Sequence, residues 1–163
     1  MNLQQRTLSS LSYLVIADAR RAQLLACQRL NTAGIGLRAV RTLENAHEAE
    51  HEHHRPSLGG GGERQGSPTR GSAHAGPHSI AQGHTAEEET ERFAREIGRW
   101  LERAQGEVGT ARLVLFAPPR FLGLLRKHIS THGAPELREG DFARLDLNQL
   151  TVHPTVVAAM TEL

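Results

Sequence analysis

Apolar residues gather into short runs before residue 44 and after residue 85, and the tract between them holds almost none. The run Tyr13-Leu14-Val15-Ile16-Ala17 predicts a strand, ended by Asp18-Ala19-Arg20-Arg21, a stretch suited to a tight turn. Ala22 to Gln28 predicts a second strand. Its closeness to the first forces antiparallel pairing, because a parallel crossover needs about a dozen residues or more. Asn31 to Gly36 is a turn, and Leu37, Ala39, Arg41 and Leu43 alternate into a third, weaker strand.

Helical spacing takes over after the polar tract. Thr85-Ala86-Glu87-Glu88 has the form of a capping box, with Glu87, Glu88 and Glu89 where a helix dipole favours anions. Phe93, Ile97, Trp100, Leu101, Ala104 and Val108 then fall on one face. Glu88/Arg92 and Glu91/Arg95 pair at i,i+4 on the other, and Gly106 and Gly109 end the helix. Leu113 to Ala117 is continuously apolar, the pattern of a strand buried on both faces. Pro118 closes it, since proline cannot donate to a sheet ladder, and Pro119 suits a first helical turn. Phe121, Leu122, Leu124, Leu125 and Ile129 recur at helical spacing, leaving Arg120, Arg126 and Lys127 on the remaining arc. Phe93 and Leu124 are expected in the core. A loop around Gly133 to Pro135, a strand from Asp141 to Leu147 and a closing helix from Pro154 complete the chain.

The order is three meander strands, helix, strand, helix, strand, helix. A right-handed crossover places the fourth strand beside the first and parallel to it. The expectation is one α/β domain over residues 1–163. It is a ribonuclease H-like three-layer arrangement whose mixed five-stranded sheet combines an antiparallel meander with parallel strands.

The tract from Asn45 to His84 reads as a flexible Gly/His-rich loop, because its composition buries too little surface to offset chain entropy. It holds seven of the ten histidines and eight glycines from Gly59 onward. His47-Glu-Ala-Glu-His51 matches the H-E-x-x-H zinc protease pattern. That motif belongs on a packed helix, and here no apolar face surrounds it and glycines follow within a few residues. His47, His51, His53 and His54 are therefore expected to hold metal adventitiously at most, and no cofactor is implied. Gly59 to Gly62 lacks the G-K-[ST] ending of a phosphate loop and reads as linker.

Charge adds one asymmetry. The net charge is +1, so no global field recruits nucleic acid or membrane, yet Lys127 is the only lysine among nineteen cationic side chains. Arginine offers a planar fork for phosphates and carboxylates. The lone Cys27 fits a reducing compartment. No secretory signal and no apolar stretch long enough for a bilayer are legible, so a cytoplasmic protein without membrane or DNA partners is expected. A nuclease would need several carboxylates converging on the sheet to hold two metals. Only Asp18 ends a strand suitably, while the fourth strand ends in Ala-Pro-Pro, so Asp18 reads as a turn former and no catalytic set is assigned.

The Pro118-Pro119-Arg120 turn is the remaining candidate. Ligands of α/β sheets bind beyond the carboxyl ends of strands, and a helix N-terminus offers free N–H groups to anions. Arg120, extended by Arg126 and Lys127, is a candidate anion or nucleic-acid site. A cation at a helix N-terminus works against the dipole, so Arg120 needs a partner, either an anionic ligand or, preferred, an ion pair with Asp18.

FAPPRFLGLLRKHIS resembles the most recognisable block of the bacterial host attachment family. YLVIADARRAQLLACQ, AEEETERFAREIGRWLERA and LDLNQLTVHP agree with it, so the likeness covers most of the chain outside the tract. The resemblance implies a relationship to the middle domain of archaeal and eukaryotic peptide-chain release factors. That domain carries an Arg-Phe-x-Arg pattern on its long helix, and this chain has Arg92-Phe93-Ala94-Arg95. It has no Gly-Gly-Gln tip, which counts against peptidyl-tRNA hydrolysis. Three functions follow in order of preference. The first is a non-enzymatic binding protein acting indirectly on attachment. The second is a ribosome- or tRNA-associated factor contacting structured RNA, and the third a hydrolase on RNA or peptidyl-tRNA.

Overall fold

Strand β1 (Ser12–Ala17) turns into β2 (Arg21–Arg29) through an Asx turn. The Asp18 Oδ1 accepts the N–H groups of Arg20 and Arg21 at 2.9 and 2.8 Å, the local bonding that makes aspartate a turn former. The computed structural model describes residues 12–30, 34–46, 78–109, 111–130 and 134–162, with 78–85 given by backbone alone. β2 pairs antiparallel with β1, Ala17 opposite Ala22, and with β3 (Ile35–Glu44). The β2–β3 register shifts between Leu24 and Leu25, so Val40 is an extra residue in β3, a bulge that bends this edge strand.

Helix α1 (His78–Val108) crosses to β4 (Leu113–Ala117), which pairs parallel to β1 as the crossover rule requires. Helix α2 (Pro119–His128) leads to β5 (Glu136–Glu139), parallel to β4. The sheet order is β3-β2-β1-β4-β5. Helices α3 (Leu147–Val152) and α4 (Pro154–Thr161) end the described chain.

Alternation along the strands divides the core into two. Val15, Ala17, Leu24, Leu113, Leu115 and Ala117 pack against Phe93, Ile97, Trp100 and Leu101 of α1 and Phe121, Leu122 and Leu125 of α2. Leu14, Ile16, Leu25, Val114 and Phe116 face the other way, onto Leu150 of α3 and Val156, Ala159 and Met160 of α4. Both faces of β1 and β4 are thus covered, and the protein is a three-layer α/β domain.

Several expectations need correction. Residues 78–84, expected in the loop, form the first turns of α1, so Glu87 to Glu89 lie well inside the helix rather than at its start. Residues 47–77 of that loop lie outside the described residues. α1 ends at Val108, where Gly109 adopts φ +65° and donates its N–H to Gln105 O, the left-handed cap that glycine accepts without strain. Gly106 is a residue of the helix rather than its stop. The final strand lies at Glu136–Glu139, not Asp141–Leu147. As an edge strand it needs only Leu137, beside Leu115, on the core side. Residues 142–145 of that alternating segment instead form a turn closed by Leu145 N–H to Phe142 O. Asp146 and Gln149 then cap α3 reciprocally, a box hidden within an apparent strand. Phe93 is fully buried as expected, whereas Leu124 is only half-buried.

Candidate anion-binding cleft

From β1 the chain departs toward β2, and from β4 toward β5, on opposite sides. A crevice forms where neighbouring parallel strands part in this way. Here it is an open cleft of about 1030 Å³, rimmed by Asp18 to Arg21, Glu87 and Glu91 of α1, Arg120 and Leu124 of α2, and Asp141 and Arg144 beyond β5. Three turns following three parallel strands therefore meet at one edge of the sheet. Arg21 ties two of them together by donating to Ala143 O. Asn45, 97% buried, anchors the end of β3 to the same edge. Its N–H reaches Arg20 O at 2.7 Å, and its Nδ2 reaches Ala19 O at 3.0 Å.

Arg120 stands in the first turn of α2, at the mouth of the cleft. The expected pair with Asp18 does not form, since Asp18 holds the β1–β2 turn. Arg120 Nη2 instead meets Glu87 Oε1 at 3.1 Å, with both side chains largely in water. Such a pair is weak and readily exchanged. An incoming anion can take the guanidinium from Glu87 at little loss, and Arg120 sits beside the α2 N-terminus, where N–H groups favour negative charge. Sequence reasoning missed Glu87 because it put the helix start at Thr85.

Helices α1 and α2 hold this rim rigidly. Arg120 meets Glu87 at one end, and His128 packs on Gly98 at the other, so the helices run side by side in the same direction. A Cβ on Gly98 would stand 2.5 Å from His128 O, which marks a close approach of the two backbones. Phe93 and Phe121 stack between the helices at 6.4 Å, and the Glu91 carboxylate stands 3.5 Å from His128 Nε2.

The family-model comparison bears on these same elements. Residues 13–144 match the model described as "Protein required for attachment to host cells". The chain belongs to this host attachment family. No curated protein matches it. Every residue named on the cleft rim falls inside the host attachment region, while α3 and α4 lie beyond it.

The other candidates lie elsewhere. Arg126 and Lys127 are exposed in the last turn of α2, where cations suit the helix dipole, and do not line the cleft. Lys127, seven residues after Arg120, shares its helix face, because seven residues make about two turns. His47, His51, His53 and His54 lie outside the described residues. Among the described residues, no three His, Cys, Asp or Glu side chains are grouped as metal ligands, and no helix is long and apolar enough to cross a membrane. Cys27 is buried on the α3/α4 side of the sheet, and burial pushes its thiol pKa up, away from the nucleophilic thiolate.

Proposed function

We propose that this host attachment protein is a cytoplasmic, non-enzymatic binding protein that acts on attachment indirectly, by recognising a phosphate-bearing partner such as the ribosome or a structured RNA. The observation that carries this reading is the position of Arg120. Among the described residues it is held only by an exposed ion pair, beside a helix N-terminus, at the cleft where the parallel strands part. Asp18 and Glu87 have binding and structural duties that argue for recognition over turnover: one closes a turn, the other pairs with Arg120. The strand order β3-β2-β1-β4-β5 supports a ribonuclease H-like class and, with it, kinship to the release-factor middle domain.

Sedimentation of native lysate through sucrose at low and high salt tests the reading. Comigration with ribosomes at low salt and its loss at high salt are expected, because phosphate contacts weaken steeply with ionic strength. Arg120→Ala should reduce comigration while leaving stability within about 0.5 kcal/mol of wild type, as for an exposed site. Absence of comigration at every salt concentration overturns the ribosomal partner.

A further inference from the structure

Beyond the cleft, the outer surface of α1 carries a second charged feature. Arg92, Arg95, Glu96, Arg99, Glu102 and Arg103 line a shallow groove of about 620 Å³ along the helix. All six are exposed. At 100° per residue, the four arginines fall within an arc of about 80° and span about 16 Å of helix axis. None of the four forms an ion pair with a described residue.

The spacing works in part against the helix itself, and among the described residues the expected pairs Glu88/Arg92 and Glu91/Arg95 do not form, Glu91 facing His128 instead. Arg95/Arg99 and Arg99/Arg103 are like-charge i,i+4 pairs, and Arg92/Arg95 is one at i,i+3, all destabilising in a solvated helix. The glutamates that could alternate with them are concentrated earlier, at Glu87 to Glu91, or at the edges of the arc, at Glu96 and Glu102. A row of guanidinium groups that pairs with no described carboxylate, although Glu96 and Glu102 stand beside it, fits a row of anions. Successive arginines at 95, 99 and 103 rise about 6 Å each, a repeat suited to consecutive phosphates of one nucleic-acid strand. Among the described residues, no large exposed apolar side chain lies on this face, which disfavours a lipid surface, where an amphipathic helix buries such residues. The flanking glutamates discriminate further. A carboxylate repels phosphate but accepts a hydrogen bond from a ribose 2′-hydroxyl, a group that RNA has and DNA lacks.

We propose that the outer face of α1 docks the backbone of RNA, Arg92, Arg95, Arg99 and Arg103 holding phosphates and Glu96 and Glu102 accepting 2′-hydroxyls. This shares with the preceding reading an RNA partner, but not the cleft.

The test uses the full chain and fluorescence anisotropy, with a labelled RNA hairpin and a DNA hairpin of the same sequence. Affinity for the RNA should fall about 40- to 150-fold between 50 and 200 mM salt, the dependence expected for three to four phosphate contacts. The variant R92A/R95A/R99A/R103A should bind at least tenfold more weakly, with a correspondingly flatter salt dependence and a urea midpoint equal to or above wild type. The matching lysine variant should keep most of the affinity and the salt slope. DNA should bind several-fold more weakly than RNA, and E96A/E102A should erase that preference. Undetectable RNA binding at 50 mM salt, an alanine variant that binds like wild type, equal affinity for DNA, or stronger capture by phosphatidylserine vesicles would each overturn the assignment. Arg120→Ala in the same assay separates the two readings: retained RNA binding there, with loss in the α1 variant, sustains the helix face and removes RNA from the cleft.

Discussion

Gly98 is the residue on which the α1–α2 contact turns. The atoms nearest its missing Cβ are His128 O at 2.5 Å and His128 C at 3.1 Å, backbone atoms that no rotamer change can move aside. Gly98→Ala should therefore destabilise the protein by about 1–3 kcal/mol, the usual consequence of overpacking, even though alanine is the better helix former. Gly106 provides the internal comparison: it lies on the same helix with nothing within 4 Å of a Cβ, so Gly106→Ala should stabilise by about 0.5–1 kcal/mol. Urea midpoints of the two variants check this, and a stabilised Gly98→Ala would mean that the helices pack less closely. Neither difference is legible in the sequence, where Gly98 falls inside the helical pattern and Gly106 reads as its end. Arg120 is similar. Its exposure and its place after two prolines could be read from residue order. Its partner could not, because choosing between Asp18 and Glu87 depends on where α1 begins and on which acceptors the β1–β2 turn has already taken.

Among the elements, β5 shows how a weak pattern misleads. Its sequence Glu136-Leu137-Arg138-Glu139 offers one apolar residue, because an edge strand beside β4 is held as much by its ladder and its charges as by burial. Glu136 accepts from Arg112 at 2.6 Å and from Arg138, while Arg138 also donates to Glu162 after α4. Arg112 donates further to Ala159 O and Glu162 O, each at 2.8 Å. One network thus joins the start of β4, the edge strand and the end of α4. The hydrogen bonds from Arg112 and then Arg138 hold the Glu136 carboxyl below its usual pKa. A folded-state pKa below the unfolded one contributes stability that is fully present above the unfolded value, about 4.3 for glutamate. That contribution disappears as pH falls through the folded value. Wild type should therefore lose stability more steeply on acidification below about pH 4.5 than Glu136→Gln. With these side chains 29% to 57% exposed, the difference at neutral pH should be small. Urea midpoints from pH 3 to 7 measure this, and parallel acid limbs would show that Glu136 titrates normally. By contrast, β1, β4 and the central face of α1 were legible from sequence, because burial on both sides of a strand and the 3.6-residue period leave strong patterns.

For the whole molecule, the order of elements was enough to place the first four strands of the sheet. Short connections force the β1–β2–β3 meander, and the handedness of crossovers places β4 against β1. The second core was harder to foresee, since α3 hides its cap in an apparently alternating segment. Yet that core is half the structure. The family match stops at residue 144, within the turn before α3, while Leu150, Val156, Ala159 and Met160 beyond it cover Leu14, Ile16, Val114 and Phe116. If the match marked the folding unit, a chain ending at Arg144 would fold. The packing says otherwise. Removing residues 145–163 uncovers one whole face of β1 and β4 and takes two acceptors of Arg112, Ala159 O and Glu162 O, with it, leaving Glu136. Each large side chain returned to water loses roughly 1.5–3 kcal/mol of burial, and several such losses equal the roughly 5–15 kcal/mol by which a domain is normally stable. The truncated chain should show no cooperative thermal transition, weak near-ultraviolet dichroism from Trp100, and dye binding to exposed apolar surface. A cooperative melt within a few degrees of the full chain would instead show that the α1/α2 core folds alone, with α3 and α4 as later additions to it.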